Sequence, residues 1–243
     1  MLPRPRSPQA FAEPAVFQQV TGAPRLSQAR VELLREITVL DEYGARRTLH
    51  IPAERPLTVF VDKRELVTLM TLGACPELLV LGWLLNQRLV ADVGEVESVT
   101  VDWEVGAAAV KTRNGIAHLA DKTARRVVTT GCGQGTVFGD AMDQIDAIRL
   151  PGAATARIRQ GTLNALLERM RQRDSIHRKA GSVHGCALFA GEQMLVAVED
   201  VGRHNAIDTI AGWMALHGVQ GADKTFYTTG RLTSEMVMKS AQM

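Results

Sequence analysis

The chain has 243 residues, a net charge of +2, 46% hydrophobic and 22% charged residues, which predicts a globular protein of one large or two small domains. Aromatic residues make up only 5%, which argues against a stacking platform for nucleic acid. The sequence contains no run of about 18 apolar residues, so no membrane span is expected. With no secretory signal at the amino terminus and three cysteines that form no CxxC pair, we expect reduced thiols and a cytoplasmic location.

Residues 1–29 contain five of the nine prolines and little apolar periodicity, which predicts a mobile arm. Residues 30–120 are predicted to form a smaller β-rich domain. Its predicted strands are 36–40, 47–51, 57–61, 96–103 and 107–112, and its predicted helix is 77–86, begun by Pro76. The segment that begins at Leu66 has a mixed pattern. No group of chemically active residues stands out, so this domain is expected to support, pack or dimerise.

Residues 121–243 are predicted to form an α/β domain that carries the chemistry. A β-branched strand at 125–130 leads into a glycine-rich loop around Cys132. Glycines contribute little to a core, but they suit a backbone that moves or approaches a ligand closely. A cysteine among free N–H groups at the carboxyl edge of a strand tends toward a lowered thiol pKa. The alternative is an inert thiol beside a turn.

Apolar periodicity predicts a helix at 161–176 whose arginines face solvent. Strands are predicted at 182–189 and 193–198, joined as a hairpin. His184 and Cys186 are two residues apart, so they share one side of their strand. A metal site is one interpretation of this pair, but core packing is favoured because free cysteine is so frequently buried.

The stretch 194–214 has the pattern of a buried strand, a polar loop at 199–205 and a helix. Free N–H groups at a helix start favour an anion, and Arg203 adds a cation whose planar donors suit phosphate. His204 and Asp208 are four residues apart, so the carboxylate is expected to orient the imidazole. The alternative is a capped helix with a surface ion pair.

A strand predicted at 224–228 ends in Thr-Thr-Gly, as does the strand before Cys132. The following helix is expected to begin at Thr233 or Ser234. If the sheet is largely parallel, this loop, the loop around Cys132 and the loop 199–204 converge at one edge. We then expect one pocket with a thiol, two arginines, a histidine and two helix N-termini, which suits an anionic ligand beside a movable sulfur.

Four segments carry a family resemblance: 130–133, 183–184, 199–208 and 228–239. The segment 199–208 reads EDVGRHNAID, and 228–239 reads TTGRLTSEMVMK. On these motifs the chain resembles, from about Val31 to Met243, the formate dehydrogenase accessory sulfurtransferases, the FdhD family.

The resemblance implies a cytidine deaminase-like three-layer α/β/α domain with a smaller N-terminal β-containing domain, assembled as a homodimer. It implies an enzyme that takes persulfide sulfur from a cysteine desulfurase and passes it to the molybdenum (bis-guanine-dinucleotide) cofactor for formate dehydrogenase. The cofactor is a bound substrate, and no permanent metal is expected. Cys132 would carry the persulfide. Five residues would lie near the cofactor or its phosphates, an inference from the shared sheet edge more than from the family: Gly202, Arg203, His204, Gly230 and Arg231.

Two features depart from the family pattern. Many members carry a Cys-Gly-x-Cys pair, whereas position 135 is Gly, so sulfur release through an internal disulfide is not expected. Family chains usually continue into segments that contact guanine nucleotide. The last helix reaches Met243 without a cap signal, which predicts that the chain stops short of its natural end.

Three other interpretations remain open. A cofactor-binding chaperone without thiol chemistry would need the arginine but not Cys132. A zinc deaminase on the same fold would need an H-x-E and a P-C-x-x-C signature, and neither is present. A Cys–His hydrolase would pair Cys132 with His184 or His204.

Overall fold

The computed structural model describes residues 20–117 and 150–243, together with Leu119 and the strands 126–129 and 135–138. The strands are β1 Arg25–Leu26, β2 Leu34–Leu40, β3 Arg46–Pro52, β4 Arg55–Val61, β5 Arg64–Thr71, β6 Val96–Asp102, β7 Ala107–Thr112, β8 Arg126–Thr129, β9 Gly135–Phe138, β10 His184–Ala190, β11 Gln193–Asp200 and β12 Lys224–Thr228. The helices are α1 Pro76–Asn86, α2 Gln160–Gln172, α3 Ile176–Ala180, α4 Arg203–Leu216 and α5 Ser234–Gln242. None of the helices in these ranges is long and apolar enough to span a membrane.

A five-stranded sheet in the order β1-β6-β7-β4-β5 forms one side of the molecule. The pairs β1–β6 and β4–β7 are parallel, while β6–β7 and β4–β5 are antiparallel. Alternate residues of β4 (Leu57, Val59 and Val61) are completely buried, as expected for a strand with one face on a core. Helix α1 packs into that core through Leu81 and Leu84.

A second sheet has the order β11-β10-β12, and β10 is antiparallel to both neighbours. Cys186 and Leu188 of β10 share a core cluster with helix α4, whereas Ala187 and Phe189 share one with helix α2. Because side chains alternate across a strand, the two helices cover opposite faces of this sheet. The result is an α/β/α layering.

Helices α1 and α4 join the two sheets. They cross so closely that Gly82 of α1 lies against the Asp208 carbonyl of α4, and Gly212 of α4 lies against the Leu78 carbonyl of α1. Neither glycine has room for a Cβ. Since α1 lies between a sheet and another helix, it is buried around most of its circumference, unlike a one-sided amphipathic helix.

The α/β fold class predicted from the sequence is confirmed. The largely parallel sheet, on which the predicted convergence of three loops was conditional, is not found in the sheet of β10, β11 and β12. The antiparallel strand β10 separates β11 from β12. Those two outer strands therefore run in the same direction, and their carboxyl ends still lie at one edge. Strands β8 and β9 pair with each other as a separate two-stranded sheet, and neither pairs with another described strand.

The described part of the predicted arm, residues 20–29, is attached to the fold. The Val20 N–H donates to the Leu216 carbonyl at 3.0 Å, and strand β1 pairs with β6. The buried Glu77 carboxylate accepts hydrogen bonds from the Ser27 hydroxyl and the Ala29 N–H, both at 2.6 Å. The remainder of the predicted arm, residues 1–19, lies outside the described residues.

Candidate functional site

The carboxyl ends of β11 and β12 and the first residue of β10 meet at one edge of the three-stranded sheet. Strand β11 continues to Asp200 and helix α4 begins at Arg203, so a two-residue connection replaces the loop predicted at 199–205. Strand β12 ends at Thr228, and helix α5 follows from Ser234. The starts of α4 and α5 therefore lie beside the same sheet edge.

Glu199, the first acid of this motif, closes the start of helix α3. Its buried carboxylate accepts hydrogen bonds from the Ser175 hydroxyl at 2.6 Å and from the N–H groups of Ile176 at 2.8 Å and His177 at 3.3 Å. A carboxylate satisfies the free N–H groups that every helix start presents, and the helix dipole favours its charge. Glu199 is therefore structural.

Asp200, the second acid, ties β11 to the end of β5. One carboxylate oxygen accepts from the Thr71 hydroxyl at 2.5 Å and the Leu72 N–H at 3.1 Å. The other accepts from the Gly202 N–H at 3.0 Å and the Asn205 side-chain amide at 2.9 Å. Burial raises the pKa of Asp200, while these four hydrogen bonds act in the opposite direction. This carboxylate holds the start of α4 against the five-stranded sheet.

Arg203 crosses Gly230, the point where the α4 and β12 segments meet. A Cβ on Gly230 would lie 2.7 Å from Arg203 Cδ and 2.9 Å from Arg203 Cβ, so the arginine can pass only because position 230 lacks a side chain. Arg203 is 5% exposed, and its Nε is buried without a hydrogen-bond partner among the described residues. Leaving a buried charged donor unpaired is costly, so this nitrogen suits an acceptor supplied by a ligand.

His204 lies against helix α5. Its Nε2 is 3.1 Å from Glu235 Oε2, off the line of a hydrogen bond. Asp208, the residue predicted to orient this ring, instead accepts hydrogen bonds from the Asn86 amide at 2.6 Å and Lys239 Nζ at 2.7 Å. The prediction that Asp208 orients the His204 ring is therefore wrong. Asp208 and Lys239 are both buried, and each buried charge needs the other as its partner.

Both histidines at this edge are held in the neutral form. Burial, together with the positive charges of Lys239 and Arg203, lowers the pKa of His204 to about 4. Burial and the charges of Arg203 and Arg231 lower the pKa of His184. At neutral pH each ring therefore keeps one nitrogen lone pair that can accept a hydrogen bond or a proton. Arg203 and Arg231 both lower the pKa of His184, so both lie near the start of β10.

Helix α5 has Thr233 at its N-cap position, one of the two residues predicted for it. The Thr233 hydroxyl does not cap the helix. Within the described part of the chain, its Oγ1, Arg203 Nε and His204 Nε2 are buried without a hydrogen-bond partner. Buried polar atoms without partners are exceptions in folded proteins, and these three lie at the adjoining starts of α4 and α5. The arrangement is suited to an anionic ligand.

Most of the chain matches a known protein family. A family model described as the FdhD/NarQ family matches residues 52–243. The chain belongs to the FdhD/NarQ family. It is similar to proteins named sulfur carrier protein FdhD. The one from Bacillus licheniformis is 32% identical over 193 residues, 78% of this chain and 72% of that protein. The one from Geobacillus kaustophilus is 29% identical over 193 residues, 79% of this chain and 73% of that protein.

The fold of this FdhD/NarQ chain also has a counterpart among solved structures. A crystal structure of a protein from Desulfotalea psychrophila, assigned as a formate dehydrogenase accessory protein, superposes with a TM-score of 0.64 and 22% identity. The match covers 86% of this chain and 79% of that one. At this identity the likeness is one of fold, and it agrees with the predicted α/β class.

Two of the three cysteines of this family member lie in the described residues, and neither favours the thiolate. Cys186 is completely buried with its Sγ 3.3 Å from Thr228 Oγ1, and burial raises its pKa to about 12. Burial and nearby carboxylates raise the pKa of Cys75 even further. Thiolates are the reactive form of cysteine. Cys132, the predicted sulfur carrier, lies outside the described residues.

The residues predicted for the site are only partly brought together. Gly202, at the N-cap of α4, Arg203, His204 and Gly230 lie at the shared edge, and Arg231 is close enough to affect His184. Strand β8 lies with β9 in a separate two-stranded sheet, and the loop of Cys132, predicted to reach the same edge, lies outside the described residues. Among the described residues, no three His, Cys, Asp or Glu side chains are placed to hold a metal ion.

Sequence reasoning did not single out Glu235 as a contact of His204, and it did not single out Lys239 at all. The two residues are four apart on α5, with Lys239 Nζ 3.9 Å from Glu235 Oε1. That spacing is a local signal for neighbouring side chains on a helix. It is also typical of exposed ion pairs, and nothing local indicates that both side chains are buried.

Proposed function

We propose that this chain is a sulfur carrier of the sulfurtransferase type, in which Cys132 takes persulfide sulfur from a cysteine desulfurase. The recipient is the molybdenum bis-guanine-dinucleotide cofactor, the bound substrate, on its way to formate dehydrogenase. Family membership and the names of the relatives support this function. The observation that carries it is the buried Arg203 Nε without a partner, at the adjoining starts of two helices. The protein is proposed to act as a cytoplasmic homodimer.

Cys132 is the proposed carrier because Cys75 and Cys186 have raised thiol pKa values, caused mainly by burial. In the loading step the Cys132 thiolate attacks the terminal sulfur of the donor persulfide. A new sulfur–sulfur bond forms, the donor's sulfur–sulfur bond breaks, and the donor leaves as a thiolate, so no net oxidation occurs. Release of the sulfur as sulfide needs two electrons. With Gly135 in place of a second cysteine, an external thiol forms a mixed disulfide with Cys132 as the sulfide leaves. A second external thiol then breaks that disulfide and regenerates the Cys132 thiolate.

The anionic part of the cofactor is proposed to bind at the starts of α4 and α5. Its pyrophosphate oxygens can accept from Arg203 Nε and from the free N–H groups of α4. Arg231 adds a second cation near His184. The missing side chain at Gly230 lets Arg203 lie across the β12 segment. Gly202, His204 and these residues form the proposed cofactor-binding set, and transfer then depends chiefly on positioning.

The carrier role predicts that Cys132 gains one sulfur atom. After incubation with a cysteine desulfurase and cysteine, intact-mass and peptide mass spectrometry should show one added sulfur on Cys132 in the wild type. The Cys132→Ala variant should gain none and should fail to activate formate dehydrogenase, while Cys75→Ala behaves like the wild type. Full activation of formate dehydrogenase by Cys132→Ala would support a cofactor-binding chaperone without thiol chemistry instead.

The anion-binding role predicts a loss of affinity in Arg203→Gln. Guanosine diphosphate, which carries the guanine and pyrophosphate of the cofactor, is the probe, and calorimetry or fluorescence measures its binding. Loss of a hydrogen bond to a charged group costs about 1.5–3 kcal/mol, so affinity should fall at least about tenfold. Arg47→Gln, which removes an exposed arginine paired with Asp41, is the matched control. Equal affinities in both variants would remove Arg203 from the site.

A further inference from the structure

Five side chains form a continuous row from helix α1 to the candidate site. Asn86 of α1 donates to Asp208 at 2.6 Å, and Lys239 Nζ donates to the other oxygen of Asp208 at 2.7 Å. Lys239 Nζ is also 3.9 Å from Glu235 Oε1, and Glu235 Oε2 is 3.1 Å from His204 Nε2. The side chains of Asp208, Glu235 and Lys239 are 1%, 7% and 6% exposed. The Asp208–Lys239 ion pair by itself would not require the further contacts of Lys239 with Glu235 and of Glu235 with His204.

The contact between His204 and Glu235 decides where the imidazole proton lies. A neutral imidazole has one N–H and one lone pair. If Nε2 carried the lone pair, that lone pair would face a carboxylate oxygen 3.1 Å away, and the two would repel. With the proton on Nε2, a small rotation of the ring aligns it for donation to Glu235. The contact therefore favours the Nε2–H tautomer and leaves the lone pair on Nδ1.

We infer that Glu235, held by the Asp208–Lys239 pair, is a positioning residue that keeps His204 as a neutral ring protonated on Nε2, with Nδ1 as a hydrogen-bond acceptor. Glu235 acts by orientation, because its carboxylate contacts Nε2. The Asp208–Lys239 pair acts through charge, because Lys239 adds a buried positive charge close to the His204 ring.

The groups around His204 are consistent with a neutral ring. Helix α5 presents Glu235 and Lys239, helix α4 presents Arg203 and Asp208, and β10 presents His184. Burial and the two cations lower the pKa of His204 to about 4, and the Asp208 charge opposes them. An imidazole that stays neutral below the ordinary pKa of 6.5 keeps a lone pair that can accept a hydrogen bond in mildly acidic conditions.

The use of this acceptor rests on the proposed function. A neutral Nδ1 at the proposed anion site can accept a hydrogen bond from a donor group of the bound cofactor. The positioning itself is a property of the chain without any sulfur donor. It can therefore be measured even if the sulfur transfer proposal fails.

Nuclear magnetic resonance of the ring nitrogens tests the positioning directly. Long-range proton–nitrogen spectra of the wild type should show His204 protonated on Nε2 and unprotonated on Nδ1 at neutral pH. Glu235→Gln keeps an acceptor oxygen and should preserve this tautomer, whereas Glu235→Met should give a mixture of both tautomers. His50, half-exposed and 3.9 Å from Glu36, serves as the reference ring. A wild-type His204 protonated on Nδ1, or no change in Glu235→Met, overturns the inference.

Removal of the buried pair tests the effect of charge. The double variant Asp208→Asn with Lys239→Met removes both charges of the pair. The pKa of His204 should rise from about 4, because Lys239 lowers it more than Asp208 raises it. Lys239→Arg keeps the cation and should keep the low pKa. An unchanged titration overturns the inference, whereas a wild type that loads no sulfur counts against the proposed function alone.

Discussion

Replacement of Gly82 or Gly212 by alanine should cause the largest loss of stability of any glycine-to-alanine change among the described glycines. At each position the new Cβ would overlap backbone atoms of the facing helix: the Asp208 carbonyl for Gly82 and the Leu78 carbonyl for Gly212. A backbone cannot turn aside as a flexible side chain can, so α1 and α4 must move apart. Overpacking of this kind costs about 3 kcal/mol or more. In a chain of this size the melting temperature should fall by roughly 6–12 °C.

The matched control is Gly161→Ala. Gly161 also lies in a helix, α2, but a Cβ there meets nothing within 4 Å. Since alanine has the higher helix propensity, this variant should be unchanged or more stable by up to about 1 kcal/mol. Thermal and denaturant unfolding measured in parallel separate the two cases. Melting temperatures of Gly82→Ala and Gly212→Ala equal to that of the wild type would contradict the close helix contact.

Asp200→Asn should be the second severe change, because it breaks the link between β5 and the start of α4. Each carboxylate oxygen of Asp200 accepts two hydrogen bonds, and the side chain is 3% exposed. In asparagine an NH2 group replaces one of the two oxygens, so its N–H groups face two hydrogen-bond donors. Two hydrogen bonds to a charged group are lost and donors face each other, so the free energy of unfolding should fall by about 3 kcal/mol or more.

Asp102→Asn is the control for this substitution. Asp102 is exposed at the end of β6 and accepts one hydrogen bond, from the Glu104 N–H at 2.8 Å, which asparagine can also accept. Its unfolding free energy should change by less than about 0.5 kcal/mol. Denaturant unfolding compares the two variants, and Thr71→Val completes a double-mutant cycle with Asp200→Asn. If the two changes were additive, the Thr71–Asp200 hydrogen bond would not be the coupling that the structure indicates.

Local patterns in the sequence located most of the elements. Strand β12 occupies the predicted residues 224–228, and helix α1 begins at Pro76 as expected. Proline at a helix start and a β-branched run bounded by turns act through neighbouring residues alone. Strand β5 was not predicted, because its threonines at half-buried and buried positions obscure the alternation. Its pairing with β4 compensates for the weak local pattern.

The candidate site was predictable only in part. The strand, turn and helix around Arg203 indicated an anion site, and the structure places Arg203 against Gly230 and leaves its Nε without a partner. The role of these residues, like that of Cys132, stays a prediction. The contact of His204 with Glu235 could not be read from spacing, because Asp208 was the carboxylate within one helical turn. Lys239 occupies that carboxylate from another helix.

The sequence by itself determined most of the strands and helices, which family the chain resembles, and that a cation and a histidine begin helix α4. The tertiary structure decided what the motif's acids do. Asp200 is paired with Thr71, 129 residues away, and Asp208 with Lys239, 31 residues away. The physical reason is that burial obliges each carboxylate to find donors, while packing of distant segments decides which donors are within reach.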